Sequence, residues 1–93
     1  MFSHIMIGSN DIERSKKFYN AVLGVFGVGE PMVHVNATGQ TRLFYFDNDS
    51  IFCISEPING EPATTANGST IGFACESLAQ VKEFHEAAIA VGG

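Results

Sequence analysis

The chain has 93 residues, a formal charge of −5, and 45% apolar and 11% aromatic residues. A chain of this length makes one small domain that buries only about 60–65% of its unfolded surface, so its core has little to spare. Its five basic residues include Arg14, Lys16 and Lys17 in one short segment; these read as the solvated face of a helix and argue against a nucleic-acid partner, which needs a broad basic surface.

No apolar run approaches the length that spans a bilayer, and no membrane partner is expected. The opening Met1–Ile7 has no basic region and no signal-like core. Cys53 and Cys75 form no CxxC and sit in no Cys/His cluster, which suits a reducing compartment with thiols used as small apolar groups. A soluble, cytoplasmic protein is expected. Sequons at Asn36, Asn48 and Asn67 read as turn chemistry.

In chain order, Phe2–Gly8 alternates as a strand, with Ile5 and Ile7 on one face and His4 and Met6 on the other. Asn10 followed by Glu13 gives a capping-box pattern, and Ile12, Phe18, Tyr19, Val22 and Leu23 recur near helical spacing up to a stop at Gly24. Three short strands are predicted next: Pro31–Asn36, Thr41–Phe46 and Ser50–Ser55. The last two form a hairpin around Asp47-Asn48-Asp49. Residues 57–68 are a Pro/Gly/Thr/Asn loop. Ser69–Cys75 reads as a fifth strand, with Ile71 and Phe73 facing one way and Thr70, Gly72 and Ala74 the other. Ser77 followed by Gln80 caps a second helix whose expected buried stripe is Leu78, Val81, Phe84, Ala88 and Val91, closed by Gly92-Gly93.

The strand–helix unit occurs twice. Residues 3–27 align with residues 69–93 without a gap, at an offset of 66. The identical pairs are Ser3/Ser69, Ile5/Ile71, Lys16/Lys82, Phe18/Phe84, Ala21/Ala87, Val25/Val91 and Gly27/Gly93. Together with the shared order of strand, cap, helix and glycine, these favour a duplication. Residues 28–56 have no counterpart after Gly93. The expectation is a strand edge left open to dimerisation or strand exchange, poor isolated stability, or a piece of a longer gene product.

Ser3-His4-Ile5-Met6-Ile7, Asp11, Ser15, Phe18-Tyr19 and Leu23-Gly24 resemble the opening of the vicinal oxygen chelate superfamily, which includes glyoxalase I, fosfomycin- and bleomycin-resistance proteins and extradiol dioxygenases. Pro57–Ala63 and Phe84-His85-Glu86-Ala87-Ala88 are similar to small bacterial members. The resemblance implies two βαβββ modules whose sheets pair into a cup. In metalloenzyme members, His and Glu on the cup floor hold a divalent ion that acts as a Lewis acid. His4 stands where the first ligand is implied. Its repeat partner is Thr70, a poor ligand, and Cys53 stands where an acidic ligand is implied. Glu56 is adjacent with the wrong parity for a flat strand, and one matching position does not make a site.

The expected fold is therefore α+β: a paired βαβββ type with a five-stranded mixed sheet and two helices on one face. Module one is 1–58, a linker is 59–68, and a partial module two is 69–93. The cavity is expected on the face carrying His4, Met6, Cys53, Ser55, Thr70 and Gly72. His4 and Glu56 are the metal candidates. The function expected is binding of a small organic ligand in the cup without a complete metal site or cofactor. The alternatives are a divalent-metal lyase, isomerase or dioxygenase, and a self-associating fragment. The partners expected are a small molecule and a second copy in a homodimer, with strand exchange as one form.

Overall fold

The alternating Ile5-Met6-Ile7 segment forms strand β1 (Ile5–Gly8), and the chain then turns directly into helix α1 (Ile12–Gly24). The computed structural model describes residues 1–93. Strands β2 (Met32–Val35), β3 (Thr41–Asp47) and β4 (Ser50–Ser55) follow as an antiparallel meander, and helix α2 (Leu78–Ala90) comes last. The meander brings β4 back beside β1, in parallel, so the sheet order is β1-β4-β3-β2. Asp47 faces Ser50 across a two-residue turn in which Asn48 adopts φ 52°, a left-handed conformation that asparagine tolerates better than most residues.

Pairing register decides which side chains share a face. Ile5, Phe52 and Tyr45 lie in one row, and Ile7, Ile54 and Leu43 in the next. α1 packs on β3 and β4, and Val22 and Leu23 join Leu43, Tyr45 and Ile54 in the buried core. Burying each such side chain stabilises the fold by about 1.5–3 kcal/mol. The Tyr45 hydroxyl donates to Asn20 Oδ1 at 2.7 Å, which binds the sheet to the helix without leaving a buried polar atom unpaired.

The cap of α1 lies one residue later than the sequence pattern predicts. Asp11 is extended, and its carboxylate accepts the Arg14 N–H at 3.1 Å. Asn10 instead clamps the long loop: its amide donates to Ala63 O at 3.0 Å and accepts from Ala63 N at 2.7 Å. The helix stops at Gly24 as expected, and one further turn closes it. Gly27 takes φ 79°, and the Val28 N–H reaches back to Leu23 O at 3.2 Å, a Schellman ending.

Helix α2 repeats α1 closely. It starts 66 residues later, has the same 13-residue length, and is capped by Ser77, which accepts from Gln80 N at 3.1 Å. Gln80 Oε1 accepts the N–H of Glu76, the residue before the cap, at 2.7 Å. Gly92, at φ 94°, ends it with the Gly93 N–H on Ala88 O.

Two expectations are corrected here. The sheet has four strands, not five, because Ser69–Cys75 is not a strand: residues 70–75 make no backbone–backbone hydrogen bond. A strand is defined by its partner, and this segment has none; it is held by the Phe73 ring against Phe26, Phe52 and Phe84. The buried stripe of α2 is also narrower than predicted. Leu78 is 88% exposed and Val81 is exposed, while Phe84, Ala87 and Ala88 pack inward. α2 rests on α1 and not on the sheet.

Candidate functional site

The face of the sheet opposite the helices is set by the same register. Met32, Phe44, Cys53 and Met6 form one row across it. His34, Arg42, Ser55 and Gly8 form the next. This is the face expected to line the cup. At the Ser55 end, the loop that follows β4 lies beside the edge strand β1 and borders an open groove of about 360 Å³. Met6, Arg42, Ser55, Glu56 and Ile58 line it. The Asn10–Ala63 clamp holds the far end of that loop, and Ser55 Oγ donates to Glu56 O at 2.7 Å. Both Ser55 and Cys53 are buried.

Of the residues expected to line a cavity, this space brings together Met6 and Ser55, with Glu56 beside them. His4 precedes β1, is exposed, and pairs its Nδ1 with Ser3 Oγ at 2.9 Å. Thr70 lines neither this space nor the one beside Gly72. Gly72 lines a different one, about 460 Å³, between residues 71–76 and the sheet ends at Ile5, Tyr45 and Phe52. The reason is again the unpaired 70–75 segment, which does not extend the cup wall.

The metal candidates do not converge. No group of three or more His, Cys, Asp or Glu side chains is placed to hold an ion. Glu56 Oε1 is engaged by the Thr41 N–H at 2.8 Å, which fixes the carboxylate at the end of β3. Burial pushes the Cys53 thiol up from its ordinary pKa, with Arg42 pulling the other way; a thiol that holds its proton is a poor ligand and a poor nucleophile. Within one chain, these donors do not fit a divalent-ion site.

One site residue was missed by sequence reasoning. Arg42 sits opposite Ser55 and lines the cavity. The signal was present: a two-residue turn that pairs Asp47 with Ser50 forces Arg42 onto Ser55, hence onto the face of Cys53. The four other basic residues all lie on the helices, three on α1 and Lys82 on α2, so Arg42 is the one cation of the sheet.

A family model described as Glyoxalase/Bleomycin resistance protein/Dioxygenase superfamily matches residues 1–93. The crystal structure of a glyoxalase/bleomycin resistance protein from Albidiferax ferrireducens T118 is similar at 51% identity with a TM-score of 0.87. That match covers 99% of this chain and 72% of the other. No curated protein matches the chain.

Proposed function

The chain belongs to the glyoxalase/bleomycin resistance protein/dioxygenase superfamily, and from that premise we propose that it binds a small organic ligand on the cup face without a complete metal site of its own. The observation that carries the reading is the open groove beside Met6 and Ser55, about 360 Å³ in volume, between the sheet and a loop clamped by Asn10. That volume lies at the lower end of the range of small-molecule sites, about 300–1,000 Å³. Apolar Met6 and Ile58 offer contact area, and the Ser55 end offers polar groups that orient a ligand.

A divalent-metal lyase, isomerase or dioxygenase is the weaker reading, since His4, Cys53 and Glu56 do not converge on one point. A homodimer accompanies the preferred reading. Met6, Met32 and Phe46 project from the cup face and are exposed, and a second copy laid on that face covers them.

The test is a fragment screen by amide NMR in the presence of a chelator, paired with metal analysis of the purified protein. The expected result is ligand-induced shifts at Met6, Ser55 and Ile58 that persist in chelator. Stoichiometric metal that disappears in His4→Ala would overturn the reading in favour of a metalloenzyme.

A further inference from the structure

The geometry points to Arg42 as an anion anchor: the cavity takes a small organic carboxylate whose charged end sits on this guanidinium. The inference rests on the cup-face ligand reading above and adds to it the class of ligand. Arg42 makes no salt bridge; the one ion pair of the chain is Lys82–Glu86, at 3.9 Å on the outside of α2. Its Nε is buried and has no hydrogen-bond partner. A guanidinium carries five N–H donors and does not lose its charge. Here that charge is partly withdrawn from water, and the chain supplies no acceptor at Nε and no counter-ion. The buried Nε lies out of a ligand's reach, so the anchor is the rest of the guanidinium, which no ion pair occupies and which belongs to a residue lining the cavity.

The neighbouring groups select the kind of anion. Glu56 lines the same cavity, but its Oε1 is held by Thr41 N and is not turned into an ion pair with Arg42. A fixed carboxylate nearby repels a dianion more strongly than a monoanion. No second Lys or Arg lines the cavity to offset that repulsion. One arginine and one nearby acid therefore fit a single carboxylate better than a phosphate, and Arg matches a carboxylate through two parallel N–H···O bonds. The rest of the ligand lies against Met6, Pro57 and Ile58, which calls for an apolar body attached to the acid.

The test uses benzoate and its neutral isostere benzamide, titrated into the full chain and followed by amide NMR. Benzoate is expected to shift resonances of Met6, Arg42, Ser55 and Ile58, to bind at least about tenfold more tightly than benzamide, and to lose about that factor in Arg42→Gln. Glu56→Gln keeps the acceptor for Thr41 N and removes the repelling charge, so it is expected to tighten benzoate severalfold. This second variant keeps the test decisive if Arg42→Gln does not fold. Equal binding of benzoate and benzamide in the cavity, unchanged in Glu56→Gln, overturns the anion anchor and leaves the ligand reading standing. Absence of shifts with either probe, while unrelated neutral fragments still bind at Met6 and Ser55, also overturns the anchor. Absence of any ligand there overturns both.

Discussion

The two copies of the strand–helix unit share their caps, a 13-residue helix and a glycine ending, yet they end in different surroundings. In the first, β1 pairs with β4 and α1 buries Val22 and Leu23 against the sheet. In the second, residues 70–75 pair with nothing and α2 has no fully buried residue. Helices carry their hydrogen bonds within themselves, so caps and apolar spacing specify them wherever the unit is placed. Strands need a neighbour, and burial needs a surface, so neither travels with the unit. The Lys–x3–polar pair shows the same divergence. Around Lys16 and Asn20, the Tyr45 hydroxyl ties helix to sheet; the equivalent Lys82 and Glu86 meet only each other in solvent.

The largest expected effect comes from the repeat-equivalent pair Leu23 and Ile89, 4% and 56% exposed. Leu23→Ala costs about 2–5 kcal/mol through lost burial and the cavity left behind, whereas Ile89→Ala costs under about 0.5 kcal/mol. Urea unfolding of the two variants measures the difference, and equal costs would break the comparison. Next comes Phe73→Ala, expected to cost about 1–3 kcal/mol because one ring serves three aromatic partners. Its loss should raise amide exchange in α2 before it does so in α1. Phe73 is the rivet that replaces strand pairing in the second copy.

A smaller effect separates the caps. Asp11→Ala and Ser77→Ala each remove one side-chain acceptor at a helix start, worth about 1 kcal/mol. The Asp11 loss should appear in global unfolding, since α1 belongs to the core. The Ser77 loss should appear as faster exchange confined to α2. The remaining effects lie in the polar ties. Burial, then the charges of Glu30 and Tyr19, push the Tyr45 hydroxyl up to about 12 from an ordinary value of 10.0. The folded state thus holds this proton more tightly than the unfolded chain does. The resulting stability is fully present below pH 10 and is lost as pH rises from 10 towards 12. Tyr45→Phe should flatten that alkaline slope in denaturation measured at several pH values. Lys82→Ala, which breaks an exposed i,i+4 pair, should change stability by no more than about 0.2–0.5 kcal/mol.

Much of this was legible in the sequence for the same reason that the helices repeat. Alternation at Ile5-Met6-Ile7, the Asp47-Asn48-Asp49 turn and the two apolar helix stripes are local signals, and each produced its element. The fifth strand was not, because Ile71 and Phe73 alternate as a strand would, and alternation is a local signal that does not say whether a partner strand lies alongside. The site was legible in part. Parity placed Met6, Cys53 and Ser55 on the cup face, but the cavity also depends on the Asn10–Ala63 clamp, a contact across 53 residues. Arg42 needed the hairpin register to be followed one strand further.

The central claim is that one unit occurs twice and only its first copy is built into a sheet. Amide hydrogen exchange across residues 3–27 and 69–93 in a single sample tests it most directly. The account predicts β1 and α1 amides protected to the level of global unfolding, α2 less protected, and residues 70–75 exchanging as open chain. Alternating strong protection along 70–75, or α2 as protected as α1, would contradict it.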